Sequence, residues 1–337
     1  MSRFCKTSVF DLFVILPATV LALLLLWGQP LAAEEAVLDF NSWLVGLKKE
    51  AVSQGIPVSI VDNALAGVTL REEVIKLDRN QPEFKLTLEG YLERIVSEQR
   101  VAKGRKMLIE HQLLLDEIAA RYQVQPRFLL AFWGIESDYG RVLGDFSVIQ
   151  SLVNLAFDTR RGEYFRKELL LALHILADGK VALERLQGSW AGAIGGLQFM
   201  PSVYRKYALD YNGDGLSDVW NNPADMFASG ANYLSKSGWS FDQTWGREVV
   251  LPDDFDQKLL GHKNILTLAQ WQELGVRRLY GGRDLPKREM SASLIIPDLD
   301  SSRAFLVYEN FQKILKWNRS DLFAIAVGVL ADRISAP

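Results

Sequence analysis

Thiol and imidazole chemistry is almost missing from this chain, whose 337 residues include one cysteine and three histidines. A single cysteine permits no intramolecular disulfide and no thiolate zinc site, and His111, His174 and His262 are too scattered for a histidine-rich metal centre. Excess charge is missing too: 38 basic residues face 41 acidic ones, for a net charge of −3. Phosphate binding needs clustered, uncompensated lysine and arginine, so nucleic acid is excluded as a partner class. Internal repeats and low-complexity tracts are also absent. The chemistry must come from carboxylates, amides, hydroxyls and aromatics.

What is present is apolar bulk, 49% of the residues, in a chain long enough for two or more packed units. Residues 1–33 read as a secretory leader, with Arg3 and Lys6 ahead of an apolar run from Leu12 to Trp27 and the small-residue ending Leu31-Ala32-Ala33. The run contains Pro17 and falls short of the roughly 20 apolar residues that cross a bilayer. An uncleaved inner-membrane anchor is the alternative. Cys5 precedes the run, so no lipoprotein cysteine follows it, and the exported part is expected to be cysteine-free with 36 basic and 40 acidic residues.

Beyond the leader, apolar spacing predicts helices over 40–53 and 86–122, a turn at Val58 to Val61, and an extended link over Asp78-Arg79-Asn80-Gln81-Pro82-Glu83-Phe84. Helix resumes at Pro126, a residue suited to a first helical position. Glycine, asparagine and aspartate make 188–225 loop-dominated. Short β-type runs at 248–251, 293–296 and 305–308 surround a helical piece at 267–274, and 311–334 is helical again.

One carboxylate stands out. The helix from Pro126 to Ile135 is almost wholly apolar and delivers Glu136 at its end, on the face of Leu129, Phe132 and Trp133. Burial there disfavours the charged form, and a carboxyl kept protonated can act as general acid on a glycosidic oxygen. The competing reading is a helix-terminal glutamate capped locally or paired with Arg141. The run from Gly188 to Ser202 adds glycines that allow close ligand approach, with Ser189 and Gln198 as hydrogen-bonding groups. It opens an aromatic-dense region including Trp190, Phe199, Tyr207 and Tyr233, a composition suited to saccharide subsites, although most of these rings belong in a core. Lys316 to Ser320 breaks an apolar helical pattern and alone reads as a turn.

Asp210-Tyr211-Asn212-Gly213-Asp214-Gly215-Leu216 matches an EF-hand calcium loop: oxygen ligands at positions 1, 3 and 5, glycine at 6 and a backbone carbonyl at 7. Position 12 is Asn221, where a bidentate glutamate is expected, and Asp225 stands ready to close a lengthened loop. An Asx-rich turn is the alternative.

Gly134 to Arg141, Val148 to Leu152, Arg160 to Phe165, Gly192 to Ser202 and Trp317 to Ser320, in that order, resemble the membrane-bound lytic transglycosylase B family of peptidoglycan-cleaving enzymes. The likeness runs from about Phe40 to Ile334. It implies an α+β, predominantly helical fold: a lysozyme-like catalytic core (116–246, with an EF-hand-like loop at 210–225), an N-terminal helical segment (34–115), a small β-rich insertion (247–308) and a C-terminal helical segment (309–337). It implies Glu136 as the single catalytic acid/base, Ser189, Gln198, Tyr233 and Asn318 near the substrate, and Arg161 and Tyr164 on the cleft wall. Structural calcium would be held by Asp210, Asn212, Asp214, the Leu216 carbonyl and Asp225; catalysis would need no cofactor. Trp317 and Phe323 stand where some members carry tyrosines, so no role is transferred to them.

The activity so implied is cleavage of the MurNAc-β-1,4-GlcNAc bond without water, giving 1,6-anhydromuramoyl ends, by a periplasmic monomer acting on glycan strands alongside cell-wall synthesis or remodelling proteins. A lysozyme-type muramidase and a non-catalytic, calcium-stabilised wall-binding protein are the alternatives.

Overall fold

Helix-forming periodicity dominates the chain, and the structure, a computed structural model, describes residues 29–79, 86–298 and 303–336, with 29–38 as backbone alone. The expected leader up to residue 28 and residues 80–84 of the expected link lie outside these residues, while Asp78 and Arg79, expected to be extended, are helical. Contacts divide the chain at Leu47. The first unit is represented by α1 (Gln29–Ser53) up to that residue, with Phe40 and Trp43 stacked at 6.1 Å. The second, from Lys48, carries all the other described elements.

It opens with α2 (Val58–Ala64), α3 (Glu72–Arg79), α4 (Leu88–Ile95), α5 (Glu98–Glu110), α6 (Gln112–Tyr122) and α7 (Pro126–Ser137). Two expectations change here. The turn at Val58 to Val61 is the start of α2, because burial of Val61 and Ala64 outweighs the weak helix preference of β-branched residues. The single helix expected over 86–122 is three. Ser97 ends the first break by accepting from the Arg100 N–H at 3.3 Å, and His111 leaves helical geometry between α5 and α6.

The strand β1 (Phe146–Ser147) leads to α8 (Val148–Phe157) and α9 (Gly162–Ala177), and pairs antiparallel with β2 (Gln187–Gly188). The loop-rich stretch that follows holds α10 (Pro201–Tyr207) and ends at α11 (Pro223–Lys236).

A small sheet then interrupts the helices: β3 (Gly246–Val250), β4 (Ile265–Thr267), α12 (Leu268–Glu273), β5 (Arg277–Arg278), β6 (Ser291–Ile295) and β7 (Ala304–Val307). Its order is β4-β6-β7-β3-β5, antiparallel throughout, with Leu294 opposite Leu306 and Val249 opposite Ala304. Trp271, Leu294, Leu306 and Val249 give it a core of its own.

Two helices, α13 (Glu309–Trp317) and α14 (Asp321–Ser335), return to the main body, split because Asn318 is extended and Ser320 caps the Phe323 N–H at 3.2 Å. The helix α14 packs on α7, where Phe323 and Phe132 lie 6.2 Å apart. Both are apolar nearly all round and lie at the centre of the second unit. The fold is α+β and predominantly helical, and no helix among the described residues is long and apolar enough to cross a membrane.

Candidate active site

Residues Phe128 to Gly134 of α7 are buried, so the helix is held from all sides and its last turn is fixed in space. Glu136, in that turn, is half-buried. The helix then stops abruptly. Asp138, Tyr139 and Gly140 are all left-handed, with φ of 50°, 57° and 78°, a conformation that costs energy for the two non-glycine residues. Packing imposes it. Tyr139 is buried, donates its hydroxyl to the Arg100 carbonyl at 2.9 Å and meets the Trp133 ring edge-on at 5.6 Å. Gly134 lacks a Cβ where one would lie 2.6 Å from that phenol ring. Asp138 is 2.5 Å from Arg141 and 3.9 Å from both Arg100 and Lys103. Arg141 is therefore paired with Asp138.

Glu136 opens into a hollow of about 300 Å³ that also gathers Ser189, Gln198, Tyr233 and Asn318. Among its described lining residues Glu136 is the only carboxylate. The polar groups around it have defined spare capacity. Gln198, at φ 50°, donates its amide N–H₂ to the Leu143 and Gly195 carbonyls at 3.1 and 3.0 Å, leaving Oε1 as acceptor. The Ser189 Oγ accepts from the Ala193 N–H at 3.1 Å, which leaves its hydroxyl proton to donate. The Asn318 Oδ1 accepts from the Ser320 N–H at 3.1 Å, leaving Nδ2 as donor. Burial, helped by the neighbouring Tyr207, pushes Tyr233 up to about 12, so its phenol remains protonated through the neutral range.

Trp317 is the residue that sequence reasoning left without a role. Its indole Nε1–H donates to Glu136 Oε1 at 3.0 Å. The ring is caged by Phe132, stacked at 4.3 Å, with Tyr233 at 4.9 Å and Phe199 at 5.2 Å. The polar break at Lys316 to Ser320, which looked like a turn, is the bend that carries Trp317 and Asn318 to the carboxylate. Ser137 was missed as well. Its hydroxyl donates to the Gly196 carbonyl at 2.7 Å and accepts from the Gly140 N–H at 3.0 Å, tying the end of α7 to the glycine-rich loop. Gly196 makes that approach feasible, since a Cβ there would lie 2.4 Å from the Met226 sulfur.

Two expected wall residues do not line the hollow. Arg161 pairs with the buried Asp78 of α3, as does Arg160, and so clamps the start of α9 to α3. Tyr164 is 45% exposed and its ring contacts Phe165 at 5.1 Å.

The aspartate-rich loop is organised around its carboxylates. Asp225 is fully buried; its Oδ1 accepts from the Tyr211 N–H at 2.8 Å and its Oδ2 from the Asp218 N–H at 2.9 Å. Asp210 Oδ1 accepts from the Gly213 and Asp214 N–H groups at 2.8 and 3.0 Å. Asp210, Asp214 and Asp225 place one carboxylate oxygen each within 4.8 Å of one another. That set of hard oxygen donors fits calcium. Asn212 sits beside it, its side-chain amide donating to Asp214 at 2.9 Å, and Leu216 follows in the exposed part of the loop.

Comparison with known proteins places this geometry. Residues 39–332 match the family model described as a transglycosylase SLT domain. The chain is 30% identical over 253 residues to membrane-bound lytic murein transglycosylase B of Escherichia coli (strain K12), a match covering 73% of this chain and 66%, just under two thirds, of that relative's length. SltB3 from Pseudomonas aeruginosa, solved with NAG-anhNAM-pentapeptide, superposes with a TM-score of 0.84 at 42% identity, over 88% of this chain and 80% of that one. The Escherichia coli lytic transglycosylase Slt35, solved with calcium, superposes with a TM-score of 0.75 at 26% identity, over 87% and 92% of the two chains.

Proposed function

The chain belongs to the family of transglycosylase SLT domains, and from that premise we propose that it is a lytic murein transglycosylase with Glu136 as its single acid/base. The observation that carries the reading is the convergence of Ser189, Gln198, Tyr233, Trp317 and Asn318 on one half-buried carboxylate at the end of a rigid helix. The substrate is a peptidoglycan strand, and its muramoyl units bear peptide stems like the pentapeptide in the SltB3 ligand.

Protonated Glu136 donates to the oxygen joining N-acetylmuramic acid to N-acetylglucosamine, and the bond from that oxygen to the muramoyl anomeric carbon breaks. The carboxylate then accepts the proton of the muramoyl 6-hydroxyl as O6 bonds to the anomeric carbon. The ring closes to a 1,6-anhydro sugar, the proton count on Glu136 is restored, and no water is consumed. One carboxylate suffices because the substrate's own acetamido group stabilises the developing positive charge, as in substrate-assisted glycosidases. The free Nδ2 of Asn318 or the hydroxyl of Ser189 orients that acetamido group. An indole is a donor only, so Trp317 keeps Oε1 as an acceptor and leaves the acidic proton to Oε2.

Calcium fits the loop of Asp210, Asn212, Asp214, the Leu216 carbonyl and Asp225, where it would tie the start of α11 to the chain before it. Its role there is structural. The leader read at residues 1–33 directs the enzyme to the periplasm, where its substrate lies.

Mass analysis of fragments released from sacculi tests the reaction. Anhydro ends, lighter by one water than hydrolytic ends, are expected, and hydrolytic ends would make the enzyme a muramidase. Glu136→Gln is expected to lower turnover about 10²- to 10⁴-fold; wild-type turnover in that variant would remove the assignment and favour a wall-binding protein.

A further inference from the structure

The small sheet carries a tip that the reaction does not use. Val276 and Leu285 are buried in the sheet's own core, and the Leu285 N–H donates to the Gln272 side chain of α12 at 2.7 Å. Between these two anchors the chain turns back after β5. The Arg278 N–H donates to the Arg283 carbonyl at 3.0 Å, and Gly281 and Gly282, with φ of 77° and 57°, supply the left-handed bend. Every residue from Leu279 to Asp284 is exposed.

The tip concentrates positive charge. Residues 277–288 hold five cations and one carboxylate, Asp284, in a chain whose net charge is −3. Two of the five are spent locally: Arg277 lies 3.7 Å from Asp284, and Arg288 pairs with Asp242. Arg278, Arg283 and Lys287 make no ion pair among the described residues. The Arg278 Nε donates to the Asp284 carbonyl at 2.6 Å, a neutral acceptor that leaves its charge uncompensated. Apolar side chains stand among these cations. Tyr280 is 80% exposed, and Leu279, Leu274 at the end of α12, and Val250, which pairs with Arg277 across the sheet, are exposed as well. Single exposed apolar residues are ordinary, whereas four gathered beside three uncompensated cations form a patch. Glu273, Asp253 and Asp254 border it near Gly275, which has Pro252 beside it, so the docking face is that of Arg278, Arg283 and Lys287.

We propose that this tip is a docking surface for the phosphate headgroups of an anionic lipid bilayer. Arg278, Arg283 and Lys287 meet the phosphates, Tyr280 sits at headgroup level with its ring in the apolar boundary and its hydroxyl in water, and Leu279 enters beside it. The shape favours a bilayer over a folded partner. A stable protein interface needs about 800 Å² of complementary surface on each side, while a bilayer moulds itself to a small protrusion. The mixed chemistry favours lipid over a hydrated anionic polymer, which offers the cations counter-charges but gives Leu279 and Val250 no apolar phase to enter. Each cation near an anionic surface contributes about fivefold in binding, and three together about 100-fold. Such docking is reversible and independent of what becomes of the leader.

Sedimentation with vesicles tests this, using phosphatidylcholine alone and phosphatidylcholine mixed with phosphatidylglycerol in equal parts. The full chain is compared with a variant combining Arg278→Gln, Arg283→Gln and Lys287→Gln, and with Tyr280→Ser. All carry the same leader, so its contribution cancels between them. Wild type is expected to bind the mixed vesicles about 100-fold more tightly than the neutral ones, and the triple variant to lose that preference. Tyr280→Ser is expected to bind both kinds more weakly with the preference kept. Because Arg278 also braces the turn, the pair Arg283→Gln and Lys287→Gln is measured too, and is expected to keep the wild-type Tm while losing about 25-fold on mixed vesicles. Release of anhydro fragments from soluble strands is expected to be unchanged throughout, since none of these residues lines the catalytic hollow. Equal binding of mixed vesicles by wild type and the double variant, or no preference for them in wild type, overturns the docking surface. Binding to sacculi that falls with these substitutions while vesicle binding does not would assign the cations to the wall polymer and overturn it equally.

Discussion

Replacing Trp317 by phenylalanine isolates one atom pair. The ring that stacks on Phe132 at 4.3 Å is kept in kind, while the N–H donated to Glu136 Oε1 at 3.0 Å is lost. A hydrogen bond to a charged acceptor is worth about 1.5–3 kcal/mol, which corresponds to roughly 10- to 150-fold in rate. The bond strengthens as the acid turns into carboxylate, so the loss belongs to the transition state and should appear in kcat with KM little changed. Removing a donor that favours the charged form also moves the upper limb of the pH–rate profile to higher pH. Trp317→Tyr restores a donor hydroxyl and is expected to recover most of the rate. Release of anhydromuropeptides from sacculi, measured against pH alongside thermal unfolding, reads all of these. Wild-type kcat in Trp317→Phe would refute the reasoning, as would equal losses in the two variants accompanied by a large fall in Tm, the sign of a ring that only fills space.

Three other perturbations have defined outcomes. His262 lies 3.0 and 3.1 Å from the two Asp321 oxygens, and this hydrogen bond raises its pKa above the ordinary 6.5. The pair's stabilisation is complete below 6.5 and lost as pH rises through the raised value, so Tm measured from pH 5 to 9 should decline across that window in wild type and not in Asp321→Asn. Calcium at 100 times its Kd should stabilise the fold by about 2.7 kcal/mol, seen as a Tm increase reversed by chelation; Asp225→Asn should abolish the increment as well as lowering the metal-free Tm, and an unchanged increment would place calcium elsewhere. Gly134→Ala gains about 1 kcal/mol of helix propensity but drives a methyl to 2.6 Å from the buried Tyr139 ring, a clash of about 1–3 kcal/mol; net destabilisation with a fall in kcat is expected, and a raised Tm would contradict the packing described.

The helical class and the importance of α7 were legible because an uninterrupted apolar helix has only one place to go, the centre of the fold, and a carboxylate at its end is conspicuous there. Local signals decided less. Of the two breaks inside 86–122, the first was written in Ser97, a capping residue, yet the apolar spacing runs straight through it, and the second, at His111, has no capping side chain to announce it. The β-branched start of α2 pointed away from helix until burial was known. Trp317 was illegible for a different reason: it meets a partner 181 residues away, and no periodicity encodes such a meeting. The Arg161–Asp78 pair, 83 residues apart, is hidden from periodicity for the same reason.

The strand β7 ends at Val307, α13 begins at Glu309, and α13 ends at Trp317. The last strand of the small sheet is thus in series with the indole that holds the catalytic carboxyl, through a nine-residue rod about 13 Å long. Phe311 and Ile314 of that rod are fully buried, so it is held along its length. The sheet and the catalytic carboxyl are therefore joined by one short, continuous stretch of chain.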